Sequence, residues 1–230
     1  MIGVENGAEG FRAAWCLDLP GCYALVPPGT DLAERAALAI VEFTAWAHQR
    51  AAERITIEPS QVQIVQTVDS GSDLRGGDTT AFFVRDAEAA SPREFPLWAN
   101  PHDRALDEFR ELALSIPPAL LDHRLDLEGR TPLGILEHVT GAERYFARQL
   151  RPEAAAGGRP REAPVRELQD AHMWLQQVVC DVPASLRVRR EEAGANPEEW
   201  SVRKVMRRSI WHLRYHTWEL RRAIGTIWLS

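Results

Sequence analysis

The chain has 230 residues, enough for one large domain or two small ones, and its 45% hydrophobic and 26% charged content is that of a globular protein, not a disordered or fibrous one. A net charge of −6 makes nucleic acid an unexpected partner. No apolar run approaches the ~20 residues of a membrane span, no basic stretch followed by an apolar one opens the chain, and the three cysteines form no CxxC pair, so a cytoplasmic protein is expected.

Residues 1–90 are expected to form an α+β domain, a small antiparallel sheet with one main helix. Phe11 to Leu17 and Cys22 to Val26 are short runs rich in apolar residues, separated by Asp18-Leu19-Pro20-Gly21, a strong turn signal; a hairpin is expected. Thr30 or Asp31 can cap a helix that has Glu34 at the capping-box position and extends to about Ala52. Arg54 to Glu58, Val62 to Val68 and Thr79 to Arg85 read as further strands. Ser70-Gly71-Ser72 and Gly76-Gly77 mark a loop.

Residues 91–100 are expected to be a linker, because Ser91-Pro92, Phe95-Pro96 and Asn100-Pro101 disfavour regular structure. Beyond it, over 101–230, helices are expected from Pro101 to Leu121, from the Thr131-Pro132 cap to about Arg151, from Val165 to Cys180, and from Glu198 or Glu199 to about Ala223. Residues 152–164 read as a Gly/Pro/Ala-rich connection and 181–197 as an irregular return. Four such helices suggest a bundle.

The last helix carries the most specific signal. His212 and His216 stand four apart and leave one helical face. Val202, Val205, Ser209, Leu220, Ala223 and Ile227 share that stripe, so the two imidazoles replace core residues and must find hydrogen-bond partners or a metal. His138, on the face of Ile135, Ala142 and Tyr145, can supply a third nitrogen from the second helix. Three protein ligands leave a coordination position open, as catalytic metal sites do. The plainer alternative is three hydrogen-bonded core histidines. Glu137 and Glu143 are candidate proton-transfer groups near His138. Arg203, Lys204 and Arg207 form a cationic cluster that either meets an anionic cofactor or is the solvated side of the helix.

Thr131-Pro132-Leu133-Gly134-Ile135-Leu136-Glu137-His138-Val139 with Glu143 and Tyr145-Phe146, then Trp200-Ser201-Val202-Arg203-Lys204-Val205, then His212-x-x-x-His216, resemble the DinB family over residues 101 to 226. The resemblance implies an up-down-down-up four-helix bundle, with a divalent metal (nickel, zinc or iron) on His138, His212 and His216. In several members the metal activates a low-molecular-weight thiol for transfer. The connection over 152–164 can reach at most ~45 Å, enough to cross a ~30 Å helix. Trp15-Cys16-Leu17-Asp18-Leu19-Pro20-Gly21-Cys22-Tyr23-Ala24 and Asp31-Leu32-Ala33-Glu34-Arg35-Ala36 resemble the hairpin and helix of HicB-like domains. A DNA-binding segment usually follows such a domain; here a metal-type bundle follows, so a partner-binding or homodimerising platform is the expected role. The sequence thus supports two readings: a metal-dependent transferase or hydrolase acting on a small molecule, or a non-enzymatic interaction module.

Overall fold

The computed structural model describes residues 1–48, 56–123, 130–152, 163–191 and 197–229, with side chains to 225. The first half holds a four-stranded sheet. β1 (Ile2–Asn6), β2 (Arg12–Cys16), β3 (Tyr23–Val26) and β4 (Ile64–Asp69) are ordered β3-β2-β1-β4. β2 pairs antiparallel with β1 and β3, but β1 and β4 run parallel. The sheet is therefore mixed, not the antiparallel one expected. A parallel pair needs a crossover, and helix α1 (Leu32–His48) lies in the chain between β3 and β4. Asp31 caps α1, its Oδ1 accepting from the Glu34 N–H at 2.9 Å.

The strand over 54–58 is not found: Arg54 and Ile55 lie outside the described residues, and 56–58 are not in a strand. So does the expected helix end beyond His48. The strand expected from Thr79 to Arg85 does not form: residues 79–83 join no sheet, and Val84–Ala87 make a 3-10 turn. Side chains satisfy their backbone donors in place of a neighbouring strand. Glu5 Oε1 accepts from the N–H groups of Thr80 (2.8 Å) and Ala81 (3.1 Å), Asp86 from Phe83 (2.9 Å) and Gln66 from Val84 (2.6 Å). This meets the requirement that buried backbone groups be paired.

Alternation along β2 divides the sheet into two faces. Ala14 and Cys16 join Ile2, Val4, Leu32, Ala36 and Phe43 in a core with α1. Ala13, Trp15 and Leu17 face Leu74, Ala81, Phe83 and Trp211 on the other side.

The second half contributes α2 (Glu94–Leu114), α3 (Pro132–Leu150), α4 (Pro164–Asp181), a strand pair β5 (Arg187–Arg190) and β6 (Glu198–Ser201), and α5 (Val202–Leu229). α2 starts inside the segment expected as a linker. Pro96 falls in its first turn, where a missing N–H costs nothing. Pro101 lies within the helix and lacks the N–H that would bond the Leu97 carbonyl, but Leu97 is exposed to water. Residues 198–201 form β6, not the first turn of a helix: Arg187, Val188, Arg189 and Arg190 pair with Ser201, Trp200, Glu199 and Glu198. α5 then begins at Val202, with Ser201 Oγ accepting from the Lys204 N–H. α3 packs on α4 and α5, and α2 packs on α5 and α4. Among the described residues no helix is long and apolar enough to cross a membrane.

Glu94, the first residue of α2, receives both terminal nitrogens of Arg203, at 2.6 and 2.7 Å. This Arg203 pairing holds the Glu94 carboxyl down at about 2, against the opposing pull of burial. A depressed carboxylate stabilises the fold above its unfolded pKa of ~4.3, and that contribution is lost as pH falls through the folded value. Glu94→Gln is therefore expected to cost on the order of 1–2 kcal/mol at pH 7 and to flatten the acid limb of stability between about pH 4.5 and 2. An acid limb unchanged in urea titrations would refute this assignment.

Candidate metal centre

α3 and α5 bring the three expected histidines together. Thr131 caps α3 by accepting from the Gly134 N–H at 3.0 Å, and Pro132 occupies the first turn. This sets the face on which His138 emerges, two turns along. On α5, the stripe through Val202, Val205, Ser209, His212, His216 and Leu220 is buried as expected, Ala223 is half-buried, and the Ile227 side chain lies outside the described residues. His212 Nε2 stands 3.1 Å from His138 Nε2 and 3.0 Å from His216 Nε2. Two imidazole nitrogens on one first-row ion, each ~2.1 Å from it, stand roughly 3–3.4 Å apart.

The electrostatics suit ligation. Burial, and then the neighbouring His216, push His138 down to about 4 and His212 well below its ordinary value. Both are neutral at pH 7, with a lone pair available. His216 Nδ1 meets Glu219 Oε2 at 2.5 Å, a contact of the kind by which a carboxylate orients a histidine whose other nitrogen faces a ligand. Glu219 is held below the usual carboxylate range, chiefly by that bond. His212 Nδ1 is buried and has no hydrogen-bond partner among the described residues.

The triad opens into a cleft of about 450 Å³. Tyr145, Phe146, Trp211 and Tyr215 form aromatic walls; Arg130 and Arg208 also line it, Arg208 paired with Glu198 at 2.8 Å. One wall comes from the first half of the chain, as Gly76-Gly77-Asp78.

The other candidates are placed elsewhere. Glu137 is exposed on the outer side of α3, beside Arg144 and Glu167. Arg203, Lys204 and Arg207 are buried and engaged by the chain itself, and none lines the cleft. Arg203 binds Glu94 and the Glu88 and Ala89 carbonyls. Lys204 Nζ meets Glu198 and the Thr80 carbonyl, both at 2.8 Å, and burial pushes its pKa down to about 8. Arg207 pairs with Asp86 at 2.7 Å.

Glu143 belongs to a second buried cluster. Its Oε2 lies 3.1 Å from His172 Nδ1 and 3.2 Å from His102 Nε2, and its Oε1 accepts from Ser209 Oγ at 2.5 Å. His172 Nε2 meets Asp103 at 3.1 Å, and Gln176 donates to that same carboxylate at 2.6 Å. Burial works against a charged His172, but its bonds to Asp103 and Glu143 outweigh this and carry its pKa up to about 9. Burial also opposes ionisation of Glu143, yet His102 and His172 hold it below the carboxylate range.

His102, Asp103, His172, Ser209 and Glu219 carry no motif that marks them in the sequence as site residues. Glu219, three residues after His216, was the one with a readable spacing. Both clusters have ligand atoms close enough to hold a metal ion. No family model matches the chain, and it has no match among curated proteins or solved structures.

Proposed function

We propose that the chain is a metal-dependent protein that holds a divalent first-row cation on His138, His212 and His216 and receives a small molecule in the adjoining cleft. The convergence of three ring nitrogens from two helices carries this reading. In this reading α2 to α5 form an up-down-down-up four-helix bundle of DinB type, consistent with the packing of α3 and α2 on α4 and α5. The HicB-like first half acts as the platform that closes one side of the cleft, in a cytoplasmic protein.

The donor set fits the ion. Imidazole nitrogens suit nickel, zinc and iron alike. Burial keeps His138 and His212 neutral. Glu219 fixes the His216 ring with Nε2 turned inward. Such an ion would supply Lewis acidity, lowering the pKa of a thiol or water beside it. The chain's own residues do the rest. Arg130, half exposed at the mouth, favours an anionic group in the cleft, and the aromatic walls restrict water around it. A low-molecular-weight thiol, anionic once deprotonated, is the co-substrate proposed for transfer chemistry.

Chelation is expected to lower the melting temperature of untagged protein, and added metal to restore it. His212→Ala should lose most of the ion at this centre. A His138→Ala/His212→Ala/His216→Ala protein with undiminished metal would overturn the centre. Cobalt-loaded protein should develop a sulfur-to-metal charge-transfer band with glutathione, bacillithiol or mycothiol. Unchanged spectra with all three would remove the thiol from the proposal.

A further inference from the structure

We infer that the His102, Glu143 and His172 cluster is a second cation site, a closed structural one that ties α2, α3, α4 and α5 together. His102 comes from α2, Glu143 from α3 and His172 from α4, and Ser209 on α5 bonds both His102 Nε2 (2.7 Å) and Glu143. Two ring nitrogens thus lie within 3.2 Å of one carboxylate oxygen, with a hydroxyl beside them.

Three observations favour a cation over a hydrogen-bonded core cluster. The first is the outer shell. His172 turns Nδ1 toward Glu143, while Asp103, itself held by Gln176, takes the opposite ring nitrogen. That carboxylate–histidine arrangement orients a metal ligand. It repeats what Glu219 does for His216 at the first centre.

The second is charge. Glu143 and His102 are wholly buried and His172 nearly so. A carboxylate in such a place needs a compensating charge, and the His172 imidazolium, 3.1 Å from Glu143, can supply one unit. A divalent ion in place of that proton would supply two, with Asp103 beside it half in water.

The third is donor chemistry. Two imidazoles and a carboxylate suit a first-row transition cation, whereas magnesium and calcium prefer oxygen ligands throughout. The burial that makes the cluster a poor place for catalysis makes it a good place for a staple. Its ion would bind the folded chain and not the unfolded one, and so stabilise the fold. Entry requires the helices to separate, so exchange should be slow.

The test uses the full, untagged chain, unfolded in chelator, refolded with zinc, freed of loose metal and measured by elemental analysis. The wild type should hold about two ions per chain, and the His138→Ala/His212→Ala/His216→Ala variant about one. Glu143→Gln with His172→Asn should also hold about one. Chelator should strip the first centre quickly and the second only on unfolding. A folded triple variant that binds no zinc overturns the second site, and that result does not depend on whether the Glu143 variant folds. If wild type and triple variant both hold one ion, the second site stands and the first centre falls. If wild type holds one and the triple variant none, the first centre stands alone.

Discussion

Replacing Arg207 with methionine is expected to cost about 3–5 kcal/mol, the range for removing one partner of a buried ion pair. Arg207 and Asp86 are both almost fully shielded, 4% and 3% exposed, and bond through two nitrogens at 2.7 and 3.3 Å. The guanidinium also donates to the Ala81 carbonyl and lies over the Trp15 and Phe83 rings, with 4.5 and 4.9 Å to their centroids. It joins α5 to the sheet and to the segment after it. With Arg207 gone, the buried Asp86 carboxyl loses its ion-pair partner. For a chain of this size the melting temperature should fall by roughly 6–20 °C. Adding Asp86→Asn should recover part of the loss, because an amide oxygen can still accept from the Phe83 N–H without burying a charge. A single variant within about 2 °C of wild type in a thermal scan would show that the pair contributes little.

Gly21→Ala is the second large effect expected. Gly21 ends the Asp18-Leu19-Pro20-Gly21 turn with φ +87, where an L residue loses ~1–2 kcal/mol. A Cβ there would also press on the Ile210 side chain, 2.7 Å from its Cβ, and approach the Trp211 backbone nitrogen at 3.3 Å. Overpacking of that kind adds ~1–3 kcal/mol. Gly29 separates the two terms: its φ is +78, but a Cβ there meets nothing within 4 Å. Gly29→Ala should show the conformational cost alone, and Gly21→Ala clearly more. Equal losses in urea denaturation would mean that the turn does not bear on α5. Since His212 follows Trp211 directly, the Gly21 variant should also weaken metal retention.

Features written in local spacing were legible in the sequence. The turn at 18–21, the Asp31 cap, the Thr131-Pro132 start and the stripe of α5 each occupy a few consecutive turns or residues. The triad was legible for the same reason: His212 and His216 share a face by spacing, and His138 needed only a helix with one buried side. What escaped was decided between distant segments. β1 contains Gly3 and a buried Glu5, which break its apolar pattern, and its parallel partner is β4, far along the chain. Gly3 is there because a Cβ would strike the Phe83 ring, 2.6 Å away. Thr79 to Arg85 has strand composition, but side chains of Glu5, Gln66 and Asp86 take its backbone bonds. The second cluster draws single residues from four helices, so no spacing announces it. The cationic run Arg203, Lys204 and Arg207 misled in the opposite direction. Its spacing suits a solvated face or an anion site, whereas its partners Glu94, Glu198 and Asp86 hold it inside.

Lys204 is the only lysine in the sequence, and its side chain is 0% exposed. Acylating reagents therefore find a single side-chain amine beside the Met1 α-amino group, and they reach it only when α5 parts from β6 and the Thr80 carbonyl. The extent of Lys204 labelling over time becomes a clock for that opening, native to the chain and requiring no introduced probe. Run with and without zinc, it would report how firmly a bound ion keeps the two halves closed.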